Sequence, residues 1–193
     1  GFLALQAGIS EAALSTVIQV VAVAGLLGLA HIIYNGTSGS EQWSRVGAIM
    51  IFAVANIFFW SGFEQAGGTF NLFAAEETNR SIFGYEVAAS LFQSVNALAI
   101  FIFAPVIASF WVSLALRNRN PSTPAKFGLG LALLSLGFVV MTLASFAAEG
   151  EALVSPMWLV GVYVLHTFGE LCLSPIGLSM ITKLAPPKIV SVM

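Results

Sequence analysis

The chain has 193 residues, of which 58% are hydrophobic and only 8% charged, and its formal net charge is −2. Because a soluble domain carries about 25% charged residues, this chain cannot cover a surface in water with polar groups, and a soluble domain is excluded. The composition predicts an integral membrane protein with no nucleic-acid partner. The single Cys172 excludes an intrachain disulfide and a multi-cysteine metal site, and two histidines leave little scope for metal ligation, so no metal is predicted.

The first two predicted helices are separated by a polar loop. Residues 12–40 contain no Asp, Glu, Lys or Arg, and a helix is predicted from about Ser10 to Tyr34. The Asn-, Gly- and Ser-rich residues 35–40 are predicted to end it as a loop. The second helix is predicted from about Arg45 to Ala75 and is apolar except for Glu64.

Three further helices are predicted along the rest of the chain. Residues 87–116 are free of charge and belong to a long third helix that starts near Gly84. Residues 127–148 form the fourth helix, and the fifth runs from about Ser155 to Leu184 with Glu170 near its centre. A helix needs about 20 apolar residues to cross the hydrocarbon, and all five are long enough. The predicted fold is an all-α, polytopic membrane protein with about five transmembrane helices.

The distribution of charge predicts the orientation of these helices. Alternating spans place the loops at residues 35–45 and 117–126 and the C-terminus on one side of the membrane. That side receives six of the seven Lys and Arg residues, whereas the opposite side receives six of the nine acids. By the positive-inside rule the basic side is cytoplasmic. The expected location is the cell membrane, crossed several times.

Two lone carboxylates, Glu64 and Glu170, lie inside the apolar stretches. An ionised side chain in hydrocarbon costs from roughly 3 to more than 10 kcal/mol, so such acids usually serve a function. Other polar residues recur at helical spacing within the predicted helices, so that three of these helices have a polar face. These residues are Asn56, Trp60 and Asn71 in the second helix, Gln93 and Asn96 in the third, and His166 and Ser174 in the fifth.

Two interpretations of these polar faces stay open. Three such faces can surround a water-filled cavity, where intramembrane polar groups normally lie. Alternatively, the uncharged polar residues only form hydrogen bonds between packed helices. A substrate or proton role is favoured for the two acids, and a buried structural role is favoured for His166.

Several short motifs resemble the proton-dependent oligopeptide transporters of the major facilitator superfamily. They are Phe63-Glu64-Gln65 with Gly67, Ala104-Pro105, Gly169-Glu170-Leu171, Leu173-Ser-Pro-Ile-Gly-Leu-Ser179 and Lys183-Leu-Ala-Pro186. The resemblance implies that residues 41–193 correspond to helices seven to ten of the family's twelve, an incomplete C-terminal bundle. It also implies that residues 1–40 are one of the extra helices, with its loop, that bacterial members carry between their two bundles.

The resemblance also implies roles for individual residues. Glu170 matches the acid that receives the amino terminus of a bound peptide, with Asn96 as a polar partner and Ser174 lining the same pocket. Glu64 matches the acid that pairs with a lysine of the N-terminal bundle in proton coupling. Trp60 matches an aromatic wall one turn away.

The function that this resemblance implies is proton-driven symport of di- and tripeptides by alternating access. The expected partners are the peptide, the lipid bilayer and the N-terminal six-helix bundle that this sequence lacks, with protons as the coupling ion and no cofactor. One alternative is a relative that carries nitrate or another small anion, which Glu170 disfavours because it repels anions. A membrane enzyme is not predicted, since the chain shows no metal cluster, positioned nucleophile or phosphate loop. A structural or channel fragment is the remaining alternative.

The predicted orientation can be tested by cysteine labelling. A cysteine placed at Ser122 is expected to react with a membrane-impermeant reagent from the cytoplasmic side, and one placed at Asn79 from the outside. The reverse labelling pattern would overturn the topology.

Overall fold

The computed structural model describes residues 11–82, 84–149 and 153–187, without the side chains of residues 11, 82 and 174–183. Within these ranges six α-helices follow one another: α1 Glu11–Gly36, α2 Ser40–Phe63, α3 Thr69–Glu76, α4 Ser94–Leu116, α5 Thr123–Ala148 and α6 Met157–Leu184. Short elements connect them: 3-10 turns at Glu64–Ala66 and Ala89–Gln93, and a hairpin of β1 (Ser81–Ile82) and β2 (Tyr85–Glu86).

The helices are long and apolar enough to confirm the predicted fold class. Four stretches qualify as membrane spans by length and composition, namely Ala12–Gly36, Ser40–Glu76, Ala89–Leu116 and Thr123–Ala148. The fifth, α6, has 28 residues and an apolar described part, Met157–Leu173. At 1.5 Å per residue it is about 42 Å long, which exceeds the roughly 30 Å of bilayer hydrocarbon.

The chain divides into two compact units, Gly1–Met50 with Met180–Met193, and Ile51–Ser179. In the first unit, α1 buries none of its most apolar 18-residue stretch, and its Leu26 is 67% exposed. An apolar surface of this extent is unfavourable in water and is expected to face lipid. At the connection between α1 and α2, the ring centroids of Tyr34 and Trp43 lie 6.3 Å apart.

The second predicted helix is interrupted beside Glu64, so the prediction of one continuous helix from Arg45 to Ala75 is wrong there. The 3-10 turn at Glu64–Ala66 is closed by hydrogen bonds from Gly67 N to Glu64 O (3.2 Å) and from Gly68 N to Gln65 O (3.1 Å). Gly68 leaves helical geometry at φ −106° and ψ −97°. Two adjacent glycines favour this break, because each costs a helix about 1 kcal/mol relative to alanine.

The third predicted helix starts later than expected. Its α-helical part, α4, begins at Ser94 and not near Gly84. Gly84 has a φ of +83°, which favours glycine, and it lies in the turn of the hairpin that pairs Ser81 with Glu86. The hairpin, which ends at the charged Glu86, and the 3-10 turn at Ala89–Gln93 therefore stand where the first turns of this helix were predicted.

The connection before α6 is attached to the end of α3 by backbone hydrogen bonds. Asn79 N donates to Val154 O at 2.9 Å, and Val154 N donates to Glu77 O at 2.8 Å. Thr78 and Val154 are both buried at this junction. These bonds satisfy main-chain groups that would otherwise be buried without partners.

The core of the second unit consists of two apolar clusters. One is formed by Phe70, Ala74, Phe92, Met141, Leu159, Val162 and Tyr163, and the other by Phe59, Phe127, Leu134, Cys172 and Leu173. Both clusters contain residues of α5 and α6, which makes this helix pair the centre of the unit.

Glycines allow α5 and α6 to approach closely. A Cβ atom added at Gly130 would overlap Leu173 and lie 3.0 Å from the carbonyl oxygen of Gly169, and one added at Gly169 would lie 2.9 Å from Gly130 O. Farther along α5, a Cβ at Gly137 would overlap the ring of His166. Small residues at such interfaces are typical of membrane helices.

This packing predicts that Gly137→Ala destabilises the protein. The added methyl group must displace the His166 ring, and overpacking of this kind costs roughly 1–3 kcal/mol. The measurement is the melting temperature of the detergent-solubilised protein. Gly128→Ala, on the same helix with no atom within 4 Å of its added Cβ, is the matched control. Equal melting temperatures of the two variants would contradict the prediction.

Candidate functional site

Asn96 of α4 and Glu170 of α6 are in direct contact. The Asn96 Nδ2 atom donates a hydrogen bond to Glu170 Oε2 at 3.1 Å, across 74 residues of sequence, and both side chains are half-buried. The ion pairs among the described residues are Arg45–Glu41 and Arg80–Glu86, and neither involves Glu170. The structure therefore presents a carboxylate with an amide neighbour and no described cationic partner.

A cavity of about 190 Å³ lies beside Asn96, and Glu170 is not among the described residues that line it. Its lining residues are Phe63, Glu64, Ala66, Gly67, Gln93, Asn96, Tyr163 and His166. The cavity has room for several water molecules, each of which occupies about 30 Å³ in the liquid. It is bordered by polar residues from all three predicted polar faces: Glu64 from the first, Gln93 and Asn96 from the second, and His166 from the third.

Glu64 reaches the cavity because α2 ends immediately before it. It is the first residue of the 3-10 turn, and its side chain is exposed. The hydroxyl of Tyr163 donates to the carbonyl oxygen of Ala66 in the same turn at 3.3 Å. The turn that carries Glu64 is thus attached to the helix that carries Glu170.

Trp60 and Ser174 are the two remaining residues of the predicted site. Trp60 is 37% exposed, and its ring packs edge-on against Phe59 and Phe63 at centroid distances of 5.7 and 5.2 Å. Phe63, not Trp60, forms the wall of the cavity. Ser174 lies within α6, but its side chain is outside the described residues. The roles of both residues stay predictions.

His166 is only 1% exposed and is packed among aromatic rings. Its ring centroid lies 5.4–6.2 Å from those of Phe63, Phe70 and Phe138, and Nε2 lies 3.2 Å from the carbonyl oxygen of Leu134. This placement agrees with the interpretation of His166 as a buried structural histidine.

Sequence reasoning did not identify Thr167 as part of the site. Thr167 is fully buried, donates its hydroxyl proton to Tyr163 O at 2.7 Å, and accepts a hydrogen bond from Asn96 Nδ2 at 3.0 Å. Its only signal in the sequence is its position three residues before Glu170, on the same helix face.

Comparison with known proteins identifies the family. The model of the POT family matches residues 11–193. The chain belongs to the POT family. This result confirms the resemblance to the proton-dependent oligopeptide transporters that the motifs around Glu64 and Glu170 indicated.

Individual POT proteins are similar over most of this chain. It is 40% identical over 176 residues to the peptide transporter YePEPT of Yersinia enterocolitica, covering 90% of this chain and 34% of YePEPT. It is 34% identical over 137 residues to a dipeptide and tripeptide permease B of the same species, covering 70% of this chain and 28% of the permease. A crystal structure of a peptide transporter POT in complex with sulfate matches with a TM-score of 0.82 and 34% identity, over 98% of this chain and 38% of that one.

The chain therefore spans about a third of the length of the POT proteins that it matches. The cavity beside Asn96 has a volume below the 300–1,000 Å³ that is usual for pockets of drug-sized ligands.

Proposed function

We propose that this chain is part of a proton-coupled symporter that imports di- and tripeptides across the cell membrane by alternating access. Membership of the POT family supports this proposal, as do the names of its relatives, a peptide transporter and a dipeptide and tripeptide permease. The proposal includes an N-terminal six-helix bundle, because the matched relatives are about three times as long as this chain.

The observation that carries the proposal is the environment of Glu170. Its Oε2 accepts one hydrogen bond from Asn96, and no described cation neutralises it. A carboxylate in a poorly hydrated site binds an ammonium group more strongly than one in water does. The amino terminus of a peptide, positively charged and rich in donors, is the complementary group.

The same charge argues against transport of nitrate or another anion. Glu170 would repel an anion, and the described residues that line the cavity beside its partner Asn96 include no Lys or Arg. The relatives bear the names of transporters, so we propose no enzymatic role.

Glu64 is proposed to couple the substrate site to protons. It lies on the same cavity as Asn96 but at a helix break, where the irregular backbone can move more easily than the interior of a helix. We propose that it exchanges a proton for a salt bridge with a lysine of the N-terminal bundle. Trp60 and Ser174 are proposed to complete the wall of the pocket.

The orientation is part of the proposal as well. The segments at residues 35–45 and 117–126, which contain the connections between α1 and α2 and between α4 and α5, are proposed to face the cytoplasm together with the C-terminus. The uneven distribution of Lys and Arg supports this orientation.

Glu170→Gln in the full-length transporter is expected to weaken dipeptide binding at least tenfold. The substitution keeps the shape of the side chain but removes the charge that attracts the ammonium group, and loss of one partner of a close charge pair typically costs 2–5 kcal/mol. Binding of dialanine to the purified protein is the measurement. The control is Glu76→Gln, an exposed acid at the end of α3, which is expected to leave binding unchanged. Full affinity in Glu170→Gln would exclude this role.

Glu64→Gln is expected to abolish gradient-driven uptake while leaving part of the counterflow exchange of dipeptide. Exchange needs only the substrate site, whereas accumulation against a gradient needs the proton-carrying acid. Both rates are measured in proteoliposomes, with and without an imposed proton gradient. Undiminished accumulation in this variant would rule out Glu64 as the coupling residue.

A further inference from the structure

Thr167 plays no part in the function proposed so far, yet it is fully buried beside the substrate site. Its hydroxyl has one proton, and that proton is donated to the carbonyl oxygen of Tyr163 at 2.7 Å within the same helix. The oxygen of Thr167 is therefore left as an acceptor toward its other neighbours. The neighbour that uses it is Asn96, at 3.0 Å.

The amide of Asn96 is constrained by two acceptors at once. One N–H of Nδ2 points to Thr167 Oγ1 at 3.0 Å and the other to Glu170 Oε2 at 3.1 Å. Rotation of the amide by half a turn would place Asn96 Oδ1 against both acceptors, and no proton would lie between them. A buried polar atom without a partner costs about 1–3 kcal/mol, so the rotated amide is disfavoured.

We propose that Thr167 is a positioning residue that holds the Asn96 amide with its NH₂ group toward Glu170. In this orientation both amide protons are used, and Oδ1 has no hydrogen-bond partner among the described residues. Asn96 also lines the cavity. If the proposed function holds, the ammonium group of a peptide binds to Glu170 and to Oδ1 of Asn96 together, and Thr167 sets the direction of the second acceptor.

The chain contains a matched control for the Thr167 hydroxyl. Thr142 of α5 makes the same kind of bond to the carbonyl four residues earlier, Phe138 O at 2.9 Å, but its side chain is exposed. Replacement by valine removes one such backbone bond in each case. Only Thr167→Val also removes an acceptor from Asn96.

The first test compares Thr167→Val, Thr167→Ser and Thr142→Val in the full-length transporter, with uptake of dialanine into proteoliposomes. Thr167→Val is expected to raise KM about tenfold and to change kcat less than twofold. The reason is that the substitution frees the Asn96 side chain, which binds the peptide, to rotate, but leaves the conformational cycle of the transporter unaltered. Thr167→Ser and Thr142→Val are expected to keep the original KM. An unchanged KM in Thr167→Val, or a serine variant as impaired as the valine variant, would overturn the proposal.

The second test needs no peptide. Melting temperatures are measured for Thr167→Val, Asn96→Ala and the double variant in detergent, with Thr167→Ala in place of the valine variant if the latter does not fold. Residues in contact give coupled effects, so the double variant is expected to lose less stability than the sum of the two single losses. Additive losses would overturn the contact and the proposal with it.

The two tests separate the inference from the function on which it rests. If the unaltered protein takes up no dialanine, the peptide-transport proposal fails. The melting-temperature cycle then decides the role of Thr167 by itself: coupled losses support it, and additive losses refute it.

Discussion

The hydrogen bond between Asn96 and Glu170 is the interaction on which the site depends. A carboxylate within a membrane helix is costly unless polar groups surround it, and here an amide from α4 supplies the polar contact without neutralising the charge. The same amide is held by Thr167, so the two donors of Asn96 are both used inside the protein. The site therefore keeps a negative charge available while its closest neighbours are fixed.

The rest of the second unit positions this bond. Glycines at the α5–α6 interface bring the two backbones together at Gly130 and Gly169, the residue directly before Glu170. The ring of His166 occupies the space opposite Gly137. Because packed interiors leave few voids, these close contacts restrict the position of α6 and thus of its carboxylate. The segment directly before α6 is attached to the end of α3 by the backbone bonds around Val154.

The two membrane acids have different surroundings. Their proposed roles, substrate binding for Glu170 and proton coupling for Glu64, follow from this difference. Glu170 lies on a regular helix with a fixed amide partner, as a binding group should. Glu64 lies on a 3-10 turn between two helices and is exposed, so it has room to change partners. The hydroxyl of Tyr163 links that turn to α6, and Glu64 lines the same cavity as Asn96, the hydrogen-bond partner of Glu170.

The sequence alone determined the membrane class, the number of spans and the two acids, because hydropathy and isolated charge are properties of a local stretch of chain. The motifs around Glu64 and Glu170 also determined the family. Only the tertiary structure revealed the break after Phe63, the hairpin at Ser81–Glu86 and the contact between Thr167 and Asn96. A break or a hairpin depends on competition between local propensity and packing, and Thr167 is a neutral residue whose partner Asn96 lies 71 positions away. Such contacts depend on how helices pack against each other, and no pattern within a single helix encodes them.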